Sequence, residues 1–191
     1  MGSDVEIENN FYEAEGMMKD NPSEALERFE TVVDMEANRD EAPYSFNSHK
    51  FIIILAASLG HYDKMLKSQR LLMKMTDKVS RNEVGEAINR ILDLVETQLQ
   101  EKAPEKAKEM YMLILEKLKT YNERLWFTTS LRLARMYLDA KQFAPLEQML
   151  TDLKTACLTA EVAGRPCDLT RTEFFDVTKG GMLLEVLAFE I

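Results

Sequence analysis

Ser80-Arg81-Asn82-Glu83-Val84 is the stretch that decides the fold, because it carries a complete signal for the start of a helix. A serine followed three residues later by a glutamate is typical of a capping box, in which each side chain binds the other's backbone N–H. Val79 and Val84 stand where a hydrophobic staple would form. Apolar residues then recur at helical spacing along one face, at Val84, Ile88, Ile91, Val95 and Leu99. The pattern predicts an amphipathic helix from about residue 81.

Similar helices recur in pairs about every 40 residues on both sides of this stretch. The turn before each second helix falls near Pro22, Tyr62, Pro104 and Phe143. A period of this length is typical of solenoids, whose helical hairpins bury their apolar faces against one another. We therefore predict an all-α, TPR-like solenoid of about nine helices. It would form a single domain over 1–191, with hairpins at about 7–40, 44–78, 81–119 and 122–159 and a last helix at 176–191.

Local signals mark the ends of individual helices. Asn21 and Asn122 are expected to cap the second and seventh helices, and Pro22 suits the first helical position. Gly60 is predicted to end the third helix in a left-handed conformation. The stretch from Phe51 to Ala57 is apolar on all sides of that helix, which predicts cover on several sides. The longest apolar run, from Phe51 to Leu59, is far shorter than the roughly 20 residues needed to span a membrane.

Charge is spread unevenly along this chain, whose formal net charge is −9. Acidic residues dominate positions 1–41, whereas the segment from Lys64 to Arg81 is basic and contains one acid, Asp77. Six cations make up this segment and are called the cationic set: Lys64, Lys67, Arg70, Lys74, Lys78 and Arg81. One hypothesis is a docking surface for an anionic partner. The alternative is a solvated helix face that balances the acidic first hairpin. Nucleic acid is not expected, because no binding signature accompanies the cations.

Residues suited to catalysis are scarce. His49 and His61 are the only histidines, and they do not have the spacing of metal ligands. Cys157 falls on an apolar helix face, and Cys167 follows a proline in a loop. Two cysteines make no disulfide framework, which suits the reducing cytoplasm or nucleus. We predict no catalytic, cofactor or metal site. An enzyme that uses Cys167 is the alternative that these patterns leave open.

The last predicted helix, which contains Leu183-Leu184-Glu185-Val186-Leu187, ends apolar and without a cap. A solenoid is usually closed by a polar capping repeat. This ending predicts that the chain is part of a longer protein. The alternative is a terminal helix that packs back on the array.

The segment Asn122-Glu123-Arg124-Leu125-Trp126-Phe127 resembles a signature of the COP9 signalosome subunit 2 family. Arg81-Asn82 with the residues at 87–93 is similar to the preceding helix of that family. Weaker similarities lie at 21–29, at Leu71-Leu72 and at 179–185, so the resemblance covers nearly the whole chain. A related subunit of the proteasome lid shares the architecture, but the Arg-Leu-Trp-Phe segment favours the signalosome.

The resemblance implies a non-catalytic scaffold subunit in cytoplasm and nucleus, whose helical repeats lead into a PCI domain that this sequence lacks. Its partners would be other signalosome subunits and a cullin–RING ubiquitin ligase, from which another subunit removes a ubiquitin-like modifier. No resident cofactor is implied, although an inositol polyphosphate would bridge the partner interface, with the cationic set as its candidate location. The segment from Gly164 to Thr172 looks like an insertion. Alternatives are a proteasome-lid-type PCI scaffold and a generic TPR-like peptide-binding adaptor; no membrane is expected.

Overall fold

The prediction of an all-α fold is confirmed by the computed structural model, which describes residues 3–158 and their side chains as far as Ala156. Within that range every regular element is helical. The main helices are α1 (Asp4–Met17), α2 (Pro22–Glu36), α3 (Ser45–Leu59), α4 (Tyr62–Met75), α5 (Arg81–Leu94), α6 (Pro104–Tyr121), α7 (Glu123–Asp139) and α8 (Phe143–Leu158). The predicted last helix at 176–191, the segment Gly164–Thr172 and the side chains of Cys157 and Cys167 lie outside the described residues.

Helix starts follow the predicted capping chemistry. The Ser80 hydroxyl oxygen accepts the N–H of Glu83 at 3.3 Å, and the Glu83 carboxylate accepts the N–H of Ser80 at 3.3 Å. The side chains of Asn21 and Asn122 accept the N–H groups of the residues three positions later. Gly60 ends α3 at a φ of 78°, in the left-handed region. The structure thus confirms the predicted caps. They were predictable because each depends on residues only a few positions apart in the sequence.

The first helix begins earlier than predicted. We expected a start near Ile7, but α1 begins at Asp4. Ser3 and Glu6 form a second capping box there, with the Ser3 hydroxyl accepting the Glu6 N–H at 3.2 Å. The same serine–glutamate spacing that identifies the start of α5 was present in the sequence and would have located this one.

The start of α3 is capped by another helix. Tyr44 occupies the capping position, and its own side chain makes no capping hydrogen bond. Glu36, the last residue of α2, instead accepts the Tyr44 N–H at 3.2 Å and the Ser45 hydroxyl at 2.6 Å. Glu36 is only 2% exposed. Its carboxylate therefore satisfies the Tyr44 N–H, a backbone donor that the start of a helix leaves unpaired.

Two helices end less regularly than the sequence pattern predicts. The fourth helix, expected to reach Lys78, stops at Met75 and continues as a 3₁₀ turn over Thr76–Lys78. The fifth, expected to stay regular through Leu99, becomes π-helical over Val95–Leu99 before a final turn at Gln100–Lys102. In both places the chain stays helical, but the turns are tighter (3₁₀) or wider (π) than those of an α-helix. Hydrophobic periodicity does not distinguish such variants from an α-helix over so few residues.

The chain folds as two compact units, Met1–Lys117 and Leu118–Ile191. In the first, α1 packs on α2, α2 on α3, α3 on α4, and α5 on α3. Each helix thus packs mainly on near neighbours in sequence, as in a helical-repeat solenoid. In the second unit, α7 packs on α8.

An aromatic cluster joins the first three helices. Phe29 of α2 is fully buried, and its ring centroid lies 5.1 Å from that of Phe51 on α3 and 5.7 Å from that of Phe11 on α1. Tyr44 and Tyr12 extend the cluster outward from Phe11. The predicted cover on several sides of α3 is confirmed, since between Phe51 and Ala57 only Ile54 is half-exposed. We call the rings of Phe11, Tyr12, Phe29, Tyr44 and Phe51 the aromatic cluster.

Candidate partner-binding surface

All six members of the cationic set are exposed. Four lie on α4, Lys78 ends the 3₁₀ turn that follows it, and Arg81 is the first residue of α5. The segment therefore presents its cations to solvent along one helix and the next helix start. Exposure alone does not leave a cation available, because two of the six form ion pairs with acidic side chains on neighbouring helices.

Two members of the set are paired within the chain. The Lys64 Nζ lies 2.7 Å from a carboxylate oxygen of Glu30 on α2. On the other side, the Arg70 guanidinium lies 2.7 Å from a carboxylate oxygen of Glu109 on α6. Each of these cations therefore has an acidic partner, which lowers the charge that it offers to another molecule.

Asp77, the one acid of the segment, and Asp63, which directly precedes it, lie close to lysines of α6. Asp77 accepts from Lys117 of α6 at 2.8 Å, and Asp63 lies 3.9 Å from Lys106 of the same helix. Together with the pairs of Lys64 and Arg70, these contacts link α2, α4 and α6. We call them the ion-pair layer. They occur between residues 34 to 43 positions apart, close to the repeat period of the helical hairpins.

Four members of the set stay unpaired among the described residues: Lys67, Lys74, Lys78 and Arg81. Lys67 and Lys74 are separated by two helical turns, about 10 Å along the axis at 1.5 Å per residue. Around the axis of α4 they lie between Lys64, which contacts α2, and Arg70, which contacts α6. The unpaired cations, rather than all six, are the charges available to an anionic partner.

A buried histidine lies near this surface without adding to its charge. His49 of α3 is 4% exposed, and its Nδ1 atom has no hydrogen-bond partner among the described residues. Burial, and secondarily the nearby charge of Lys67, lowers the pKa of His49 from 6.5 to about 4. The imidazole is therefore neutral at pH 7. His61, by contrast, is exposed in the turn before α4.

The C-terminal end of the cationic set borders a cavity of about 470 Å³. Lys78 and Ser80 contribute to one side of it, and the loop between α2 and α3 contributes Asp40 and Glu41. Phe46 and Met75 contribute apolar side chains to the lining of the cavity. Charges of both signs line the cavity, so it does not extend the purely basic surface.

Two negative findings apply to the part of the chain that the structure covers. No cluster of three histidine, cysteine, aspartate or glutamate side chains there could hold a metal ion. None of the helices in that part is long and apolar enough to cross a membrane.

The fold and this surface define the chain as a helical-repeat protein of the solenoid class. No protein-family model matches it. It is, however, similar to COP9 signalosome complex subunit 2 of Drosophila melanogaster, with 31% identity over 98% of this chain and 39% of that protein. Identity is 34% to the subunit of Emericella nidulans and 32% to that of Caenorhabditis elegans, each over 98% of this chain and 35% of the relative.

The predicted resemblance is thus confirmed, and the chain is a homologue of COP9 signalosome subunit 2 along nearly all of its length. It spans less than two fifths of the length of these relatives.

Proposed function

We propose that this chain acts as a non-catalytic scaffold within a COP9 signalosome, where its repeats help to recognise a cullin–RING ubiquitin ligase. Another subunit would then remove the ubiquitin-like modifier from the ligase. The proposal rests first on similarity to subunit 2 over 98% of the chain. The unpaired cations support it further, because they give an acidic chain a basic surface.

Docking would begin electrostatically. Lys67, Lys74, Lys78 and Arg81 would attract an acidic surface of the ligase and bias the orientation of encounter. An inositol polyphosphate between this surface and cations of the partner would act in the same way, by neutralising both. Exposed charges are screened beyond about 8 Å at physiological salt, so binding should weaken as salt is added.

We expect the working complex in the cytoplasm and the nucleus, with other signalosome subunits as partners. A proteasome-lid-type scaffold is the related alternative. A generic peptide-binding adaptor differs more, because it would bind an isolated tail without a folded ligase surface.

A charge reversal tests the surface. The double variant Lys67→Glu/Lys74→Glu should bind a cullin–RING complex roughly tenfold more weakly at low salt, measured by titration calorimetry. Both side chains are exposed and unpaired among the described residues, so the helical circular dichroism should be unchanged.

The matched control is Lys19→Glu/Lys102→Glu, which makes the same change in net charge at two exposed lysines outside the cationic set. It should retain most of the affinity. Equal losses in the two double variants would assign the effect to net charge and remove the role proposed for this surface. If the unaltered chain did not bind the ligase, the proposed function itself would be wrong.

A further inference from the structure

Two further cations, which do not belong to the cationic set, lie over the Phe51 ring of the aromatic cluster. They are Lys50 of α3 and Arg90 of α5. The Lys50 Nζ lies 4.7 Å from the centroid of the Phe51 ring, and the guanidinium carbon of Arg90 lies 5.7 Å from the same centroid. Such distances allow a favourable cation–π interaction. Phe51 itself is 6% exposed. Two positive charges from neighbouring helices therefore converge on one ring.

Neither cation has an acidic partner within ion-pair distance among the residues described. Burial, followed by the like charge of Arg90, lowers the pKa of Lys50, and this outweighs the opposing effects of Glu15, Glu86 and Glu83. The two cations thus raise each other's energy. An anion placed between them would relieve that repulsion.

The side-chain amide of Asn47 lies beside Lys50 and can donate hydrogen bonds to a ligand. The side-chain oxygen of Asn47 accepts a hydrogen bond from Lys50 at 2.6 Å. An amide that accepts through its oxygen still has two N–H donors, and within residues 3–156 no side chain or backbone acceptor pairs with those of Asn47. Asn47 also lines the 470 Å³ cavity, so part of its side chain faces an open region of the surface.

The surroundings limit which anion would fit. Glu15, Glu83 and Glu86 lie close enough to influence Lys50, so they would repel an anion with several charges more strongly than one with a single charge. On the side of α1, the aromatic cluster continues from Phe11 to Tyr12, which is 56% exposed. A single carboxylate with an apolar neighbour matches both features.

We propose that Lys50, Arg90 and Asn47 form a binding site for one carboxylate of an extended peptide segment from a partner protein. The carboxylate lies between the two cations and accepts from the Asn47 amide. An adjacent apolar side chain packs against Tyr12. This site is separate from the unpaired cations of α4 and does not depend on the proposed function.

A pair of blocked peptides tests the site on the full chain. N-acetyl-Leu-Asp-Leu-amide carries one carboxylate and no other charge, whereas N-acetyl-Leu-Asn-Leu-amide carries none. In an NMR titration, the aspartyl peptide should shift the side-chain amide signal of Asn47 and the Nε–H signal of Arg90. The asparaginyl peptide should shift them several-fold less at equal concentration.

Two variants locate the effect. Lys50→Met keeps most of the aliphatic length, and Arg90→Gln keeps a hydrogen-bond donor, so both should retain the folded spectrum. Each should weaken binding of the aspartyl peptide about tenfold, because a hydrogen bond to a charged group is lost. The control Lys74→Met removes a cation of the other surface and should leave the titration unchanged.

Three results would overturn the proposal. The first is an equal response to the two peptides, and the second is a response that survives both Lys50→Met and Arg90→Gln. The third is a shift of the Asn47 signal on raising the protein concentration alone, which would show that a second copy of the chain covers this face. A tetraglutamate peptide should act mainly on Lys67 and Lys74, and a stronger effect at Asn47 would contradict selection of a single carboxylate.

Discussion

The aromatic cluster and the ion-pair layer both connect helices of the unit Met1–Lys117, but they do so by different physics. The cluster joins α1, α2 and α3 through rings that are mostly removed from water. The layer joins α2, α4 and α6 through side chains that keep substantial contact with solvent. Burial of a large ring stabilises by several kcal/mol, whereas an exposed ion pair contributes about 0–1 kcal/mol. The aromatic cluster thus contributes most to the stability of these helices. The ion-pair layer contributes little to stability, but it determines which cations remain unpaired and can bind an anionic partner.

Removing a central ring should have the largest effect. We expect Phe29→Ala to lower the free energy of unfolding by about 3–5 kcal/mol, because Phe29 is 0% exposed and contacts rings on two other helices. Urea unfolding followed by circular dichroism measures the change. Val5→Ala, at a position 65% exposed, serves as the control and should change it by less than about 0.5 kcal/mol. Similar losses in both variants would contradict the central role of the cluster.

An intermediate effect is expected from pH, through His49. The pKa of this side chain is about 4 in the folded chain and 6.5 in the unfolded one, so the unfolded chain takes up the proton first. Its contribution to stability is therefore full above pH 6.5 and is lost as the pH falls towards 4. The total loss is about 3 kcal/mol.

The measurement is the free energy of unfolding at pH 7 and at pH 4.5, compared between the parent chain and His49→Gln. Other groups titrate in this range, and the difference between the two chains isolates the histidine. The variant should lose less stability on acidification. Identical losses would show that burial on α3 does not lower the pKa of His49 in the folded chain.

The smallest effect on stability should come from the ion-pair layer. Glu109→Gln removes the partner of Arg70, at a site where both side chains are partly exposed. The free energy of unfolding should fall by less than about 1 kcal/mol in the same urea experiment. Binding to a cullin–RING complex should instead strengthen, because Arg70 would join the unpaired cations. A loss of stability comparable to that of Phe29→Ala would remove the distinction between cluster and layer.

Features that depend on neighbours in sequence were predictable. The capping box at Ser80, the cap at Asn122 and the left-handed end at Gly60 all follow from residues within one or two turns. The repeat period then predicted the order of the helices. Ser3 and Glu6 have the same spacing, so the early start of α1 at Asp4 also follows from neighbouring residues alone.

The charges were harder to predict because their state depends on residues far away in sequence. The spacing along α4 indicated an exposed basic face, but not that Lys64 would meet Glu30 or that Arg70 would meet Glu109. Those contacts require knowing which helices lie side by side and how far each side chain reaches. The convergence of Lys50 and Arg90 on Phe51 has the same origin, since periodicity gave no sign that α5 would lie beside α3.

Glu36 has a consequence for the way in which neighbouring hairpins melt. Its carboxylate ends α2 and satisfies donors at the beginning of α3. If the first hairpin detaches, α3 loses its cap together with the contacts of Phe51 to Phe11 and Phe29. Fraying of the first hairpin is therefore transmitted to the second, and the two behave as one cooperative unit rather than as independent repeats.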